Sequence, residues 1–440
     1  MNTGQVQNAA SASNDKLSLK EVIAMGVGGM IGGGIFSVLG LSIAEAGHAA
    51  PIAFAIGGLI ALLTGLSYAR LGLRFRSSGG SFTYLERAFT NPNIAAIGGW
   101  ILLLGYVGTL SLYAYTFGTY GSALLGGGGG DNSAMHHLLQ TLVILSFLGI
   151  NLYGVKASGS SELIIVTIKV LILALFAIIG LFHIQPDHLQ PLLNKGYGGV
   201  LMGAALIFVA YEGFELIPNA INDMEDPERN LTRGIIASIL ITIAVYVLVS
   251  LVAVGNLTAE QINRYGEYAL AVAARPFLGE AGFVLIGIAA LFSTSSAINA
   301  TLFGTARLGM IMATERVLPW AFGFRRQTSN IPWVSLVVIS AATLAFINLA
   351  NLEIISSFAS ATFLLVFALI NLSAWRLRER IGIRAWIPLS GLLLSTGSLM
   401  ALAGYLYRSE PRHLLWIGLI YAAATVIELM IPREAPPDAD

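Results

Sequence analysis

Two short stretches and one isolated cation hold most of the chemistry this chain offers. Six of the nine residues from Gly26 to Gly34 are glycine, in the run GVGGMIGGG. Glycine weakens a helix and adds nothing to a lipid-facing surface, so the run predicts a helix deliberately broken near Met30. Unwound backbone through Ile31, Gly32, Gly33 and Gly34 would aim amides, and the positive end of the next half-helix, at an anion such as a carboxylate. Close packing is the plainer use of membrane glycine, but adjacent Gly32, Gly33 and Gly34 occupy every face of a helix, which packing does not require.

The second stretch, Phe208-Val209-Ala210-Tyr211-Glu212-Gly213-Phe214-Glu215, places two carboxylates in apolar surroundings. Intramembrane acids are costly and face a cavity or a partner. Carbonyls freed near Val209 and Glu212 would accept from an ammonium, so the two stretches together fit a zwitterion. Glu215 has a structural alternative, bonding to backbone groups at the end of the break. Lys169 is the only basic residue deep in an apolar segment, Leu163 to Leu173. A buried lysine can trade its proton during a transport cycle. Its alternative is snorkelling, since it lies about 10 to 14 Å from the end of its span. Ser293-Thr294-Ser295-Ser296 and Asn299 add hydroxyl and amide groups on a later segment. Such hydroxyls commonly bond back to the preceding turn. They gain meaning only beside Lys169 and the first break, where oxygens could hold either a sodium ion or an ammonium.

The elements that must position these groups are membrane helices. The chain has 440 residues, 56% hydrophobic and 11% charged, with formal net charge zero; mean hydropathy is +0.76. These values exclude an ordinary soluble globule, and no basic patch points to nucleic acid. Without cysteine there is no disulfide, thiol nucleophile or thiolate metal site. No cofactor or metal is expected. Apolar runs predict twelve spans, at 20–45, 50–73, 92–125, 136–155, 160–183, 197–222, 231–255, 279–313, 331–350, 353–376, 385–406 and 412–432. Residues 1–19 and 433–440 read as cytoplasmic tails, with no cleavable signal peptide.

Basic residues from Arg70 and Arg74 to Arg380 and Arg384, with Lys156 and Arg326 among them, fall on the side of the N-terminus. The other side keeps Lys195, Arg264, Arg275, Arg408 and Arg412. The positive-inside rule then places both termini in the cytoplasm of a multi-pass plasma-membrane protein. The polar connection from Asn256 to Arg275 reads as an external lid with short helices of its own or as a passive loop, and Gly126 to Gly130 as an external turn. Breaks in spans one and six, five spans apart, predict an inverted repeat: 20–183, then 197–376, with 385–432 added outside it.

Three motifs carry a resemblance that extends over nearly the whole chain. Gly32-Gly33-Gly34-Ile35-Phe36 is similar to a GSGIF motif, Val209 to Glu215 to an FAYxGF pattern, and Glu225-Asp226-Pro227-Glu228-Arg229-Asn230-Leu231 to E-x-NPxRNLP. Together they resemble the amino acid-polyamine-organocation superfamily, which has the leucine-transporter fold. The resemblance implies that amides of Gly33 and Gly34 bind a substrate carboxylate, and that carbonyls of Met30, Val209 and Glu212 bind its amino group. Ile31, Gly32, Phe208, Ala210, Tyr211 and Gly213 complete the implied substrate site.

Lys169 matches a fifth-helix lysine that stands where sodium-coupled relatives hold an ion, here bordered by Gly28, Ile31, Ser293 and Thr294. Glu215 matches a position linked to pH response in some exchangers. Val209 falls where many members place an aromatic gate, which leaves that work to Phe208 or Phe214. Two residues depart from the motifs: Gly33 replaces a serine, and Glu212 is an acid where small or apolar residues are usual. With its side chain in the pocket, Glu212 would select cationic amino acids or polyamines; pointing away, it would leave a site for small neutral ones.

The expected function is secondary active transport of an amino acid or related amine by alternating access, coupled to protons. Amino acid exchange and polyamine transport are alternatives, and a non-transporting amino acid sensor is an alternative of another class. A channel lacks a pore-lining ring here, and no nucleophile, base and orienter cluster suggests an enzyme.

Overall fold

The computed structural model describes residues 16–77, 79–126, 133–154, 159–325 and 331–430. Among these the secondary structure is helical, apart from one isolated bridge that ties Leu17 to Met224. The outer parts of the expected tails, the glycine turn at 127–130, Lys156 and Arg326 lie outside the described residues.

The chain enters α1 (Leu19–Met30) through Ser18, whose backbone N–H and hydroxyl both donate to Glu21, satisfying groups at the helix start. Helix α1 stops at Ile31, where ψ is 54°, and α2 (Gly34–Ala46) begins three residues later. Gly47, at φ 61°, turns the chain into α3 (Ala50–Phe75), which carries proline in its first turn. After the short α4 (Gly80–Ala88) come α5 (Pro92–Leu125), α6 (Ser133–Tyr153) and α7 (Gly159–Leu181). Helix α8 (Gly196–Leu206) then gives way to two 3₁₀ turns, Phe208–Tyr211 and Phe214–Asp223, with a bend of 48°. The remainder is α9 (Pro227–Asn256), α10 (Ala259–Tyr265), α11 (Ala269–Thr314), α12 (Trp333–Leu349), α13 (Leu352–Arg376), α14 (Arg378–Ile381), α15 (Trp386–Ser409) and α16 (Pro411–Met430).

Nine helical stretches among the described residues are long and apolar enough to cross a membrane, counting Gly34–Phe75 as one, and the bent pair from Gly196 makes a tenth. Helix α12 is apolar but shorter. The protein is therefore an all-helical, multi-pass membrane protein. Both breaks lie in the middle of the packing. Helix α3 runs along α9, α5 along α11 and α13, and α1 lies against both α9 and α7.

The connection from Asn256 to Arg275 is mostly ordered helix. Its 3₁₀ turn Gly266–Tyr268 sits on α2 so closely that a Cβ at Gly40 would strike the Gly266 carbonyl, and Tyr115 of α5 donates to Glu267 at 2.8 Å. The span expected from 279 is the continuation of α11 beyond a kink at Gly279, where φ is 62° and ψ −156°. The polar connection thus holds short helical elements, as its length and polarity predict.

Candidate functional site

A helix that ends inside a protein leaves carbonyls without partners, and here other helices supply donors one after another. The Lys169 ammonium on α7 donates to the Gly28 carbonyl at 2.9 Å. The Tyr113 hydroxyl on α5 reaches the Gly29 carbonyl at 3.3 Å, and the Tyr246 hydroxyl on α9 reaches that of Met30. Ser293 on α11 lies against the carbonyls of Ile31 and Gly32, the latter at 3.0 Å. Five consecutive carbonyls therefore meet side chains from four helices. Beyond them, the N–H groups of Gly32, Gly33 and Gly34 donate to no carbonyl among the described residues. Such amides at the start of α2 suit a carboxylate.

The second break is held in the same way. Ser356 and Ser360 of α13 donate to the Leu206 carbonyl, Ser360 accepts from the Val209 N–H at 3.1 Å, and Tyr211 donates to the Phe54 carbonyl at 2.7 Å. Tyr246 also reaches the Ala210 carbonyl at 2.9 Å, so one hydroxyl spans both breaks. The breaks touch backbone to backbone. Gly213 holds φ at 126°, and a Cβ built there would lie 2.5 Å from the Gly29 carbonyl carbon and 2.7 Å from the Met30 nitrogen. A Cβ at Gly34 would lie 2.7 Å from the Ala210 Cα. Glycine at 29, 34 and 213 is what permits this approach.

Both acids of the second stretch are buried. Glu215 accepts from the Gly213 N–H at 2.7 Å and from Tyr106 at 3.3 Å. It thus caps the 3₁₀ turn that follows the break, the structural alternative weighed for it. Glu212, 1% exposed, accepts from Tyr113 at 3.1 Å through one oxygen and has the Glu215 carboxyl and the Thr109 hydroxyl beside it, while its other oxygen meets no donor at hydrogen-bond geometry. A buried carboxylate oxygen without a donor is costly, and it lies beside the glycine break.

Of the other anticipated residues, Lys169 is 2% exposed and points inward to Gly28 rather than snorkelling. Ser293 joins the first break, whereas the Thr294 hydroxyl bonds back to the Ala290 and Leu291 carbonyls of its own helix and presents its methyl toward Gly33. Thr294 is therefore not brought to the anticipated ion position with its oxygen, because the preceding turn offers it acceptors. Phe208 and Phe214, the two gate candidates, are both packed on Phe367, with ring centroids 5.5 Å and 5.2 Å away. Tyr113 and Tyr246 were missed by sequence reasoning. The available signal was a tyrosine in mid-span, whose hydroxyl needs a partner when buried.

Residues 17–432 match the model of a family described as amino acid permease. The chain belongs to the amino acid permease family. It is a membrane transporter of the amino acid kind and not an enzyme. It is similar to the inner membrane transport protein YbaT of Escherichia coli, 32% identical over 428 residues that cover 96% of this chain and 97% of that protein. It is also similar to the methylthioribose transporter of Bacillus subtilis, 28% identical with 86% and 85% covered. The serine/threonine exchanger SteT of the same organism is 25% identical, with 83% and 84% covered. For this permease, the two apposed breaks and the donors around them form the candidate transport site.

Proposed function

We propose that this permease is a secondary active transporter that takes up amino acids by alternating access, with protons as the coupling ion. The observation that carries the reading is the Lys169 ammonium on the Gly28 carbonyl, at the broken end of α1. A helix C-terminus attracts a cation. An ammonium that can gain and lose its proton there would hold or release α1 against α7 and α11, tying the break to protonation. The amides of Gly33 and Gly34 would take the substrate carboxylate, and carbonyls of Met30, Val209 and Glu212 its amino group.

The proposed architecture has twelve spans in an inverted repeat of five plus five, with α1 and α2 as one broken span and α8 with its 3₁₀ turns as another. In its favour, α3 and α9, which follow the two breaks, pack on each other, as do their successors α5 and α11. The excess of basic residues on the N-terminal side supports cytoplasmic termini in the plasma membrane. Exchange is the second reading, favoured by the similarity to a serine/threonine exchanger.

The test is uptake of labelled amino acids, polyamines and methylthioribose into proteoliposomes, with and without an inward proton gradient. Lys169→Ala is expected to abolish gradient-driven accumulation while retaining some substrate binding. Undiminished accumulation by that variant would refute the coupling role. Absence of uptake and exchange with every substrate would sink transport at this site, and ligand-induced stabilisation without flux would point to a sensor.

A further inference from the structure

The protein holds one more acid near the coupling lysine, and the mechanism above leaves it idle. Glu162 lies in the first turn of α7, seven residues before Lys169, so two helical turns bring both side chains to the same face about 10 Å apart along the axis. Both meet α1 at one residue. Lys169 donates to the Gly28 carbonyl, while a Cβ placed on Gly28 would collide with the Glu162 carboxylate. Ser296 of α11, three residues beyond Ser293, donates to both Glu162 oxygens at 3.0 and 3.2 Å. Glu162, Ser295, Ser296 and Asn299 line a half-open, mostly apolar pocket of about 180 Å³ together with Phe147, Ile165 and the exposed Phe292. Its polar groups, Glu162, Ser295, Ser296 and Asn299, offer the partners that a water there needs. It lies between α6, α7 and α11, toward the end of α7 that the proposed orientation places in the cytoplasm.

Other charged side chains stand on the helices packed around Glu162, and Arg307 of α11 lies over the Phe303 ring. The charged groups of α1, Lys20 and Glu21, stand in its first turn, with Glu21 bonded to Ser18. Those of α9, Glu228, Arg229 and Arg233, stand in its first two turns, with Glu228 paired to Arg76. Helices α6 and α11 bring Asn151, Ser296 and Asn299 to this level, all of them neutral, and Asn151 donates to Asn299 at 2.9 Å.

We infer that Glu162 is the proton acceptor through which Lys169 discharges to the cytoplasm. Resting on the proton-coupled reading above, the step breaks an N–H bond of the Lys169 ammonium and forms an O–H bond on the Glu162 carboxylate beside Gly28, where both side chains meet α1. A neutral amine and a carboxylic acid result. The acid then loses its proton to cytoplasmic water and the carboxylate returns to its bond with Ser296. Gly28 has no side chain because both the ammonium and the carboxylate must approach α1 there.

The experiment compares wild type with Glu162→Gln and Glu162→Asp in proteoliposomes, using the amino acid that wild type accumulates. Glutamine keeps the volume and can still accept from Ser296, but it cannot take a proton. Expected are counterflow exchange at symmetric pH near the wild-type rate, gradient-driven accumulation reduced by about tenfold or more, and substantial recovery with aspartate. Internal pH dye should report the same loss of proton entry per substrate. A Glu162→Gln protein that accumulates substrate with the wild-type pH profile overturns the assignment, as does one that loses exchange and accumulation equally. Should Glu162→Gln fail to fold, Ser296→Ala must show the same split in milder form, and an unsplit result there overturns it. If wild type exchanges substrate but ignores the proton gradient, the coupling reading itself falls; if wild type couples and Glu162→Gln couples equally, only the role of Glu162 falls.

Discussion

Replacing Gly213 by alanine tests whether the two broken segments must touch for the permease to work. The residue sits at φ 126° and ψ −29°, and the three atoms nearest to an added Cβ are all backbone, at 2.5, 2.7 and 2.8 Å, in Gly29 and Met30. No side-chain rotamer can yield there. Holding a non-glycine residue in this backbone region costs about 1 to 3 kcal/mol, and overpacking adds about 1 to 3 kcal/mol more. The total, roughly 2 to 6 kcal/mol, lowers the population of the apposed state by about thirtyfold at the least.

Purified variants would be compared by thermal unfolding in detergent and by uptake in proteoliposomes. Gly29→Ala is the graded comparison, because its Cβ would stand 3.0 Å from the Gly213 Cα at an ordinary backbone angle. Gly397→Ala in α15 is the control, with nothing within 4 Å, and should be neutral or stabilising. The expected order of damage is Gly213→Ala, then Gly29→Ala, then Gly397→Ala. Wild-type stability and uptake in Gly213→Ala, or equal damage from all three, would refute the reasoning.

Tyr246→Phe should remove the donor shared by the Met30 and Ala210 carbonyls, costing about 1 to 3 kcal/mol. Thermal unfolding should fall and substrate KM rise, while Tyr407→Phe, at a 72% exposed tyrosine, should change neither. Glu212→Gln should weaken uptake of cationic amino acids far more than of alanine or serine, measured by competition; equal effects on both classes would show that its carboxylate is not a selectivity element.

Much of the candidate site was legible because membrane insertion makes its anomalies expensive. A glycine run in a span, two acids, and a lysine amid leucine and isoleucine each violate what lipid-facing sequence requires, so Gly32 to Gly34, Glu212 and Lys169 stood out without coordinates. Tyr113, Tyr246 and Ser360 did not, since a tyrosine or serine in an apolar span is ordinary until its hydroxyl is seen to meet a freed carbonyl. Thr294 shows the opposite failure: its neighbour Ser293 reaches across to Ile31 and Gly32, while Thr294 turns back to its own helix. One position along a helix is a rotation of about 100°, and sequence adjacency cannot say which hydroxyl faces inward.

By itself, the sequence determined that this is a helical membrane protein of the permease family and that two of its helices are interrupted at Gly32 and Glu212, because apolar length, costly charge and glycine act locally. Only the tertiary structure decided that Gly213 lies on Gly29, that one tyrosine joins both breaks, and that Lys169 and Glu162 converge on Gly28. All but the Tyr246 to Ala210 contact link residues more than a hundred positions apart, and their partners are chosen by helix rotation and crossing, which no local pattern encodes.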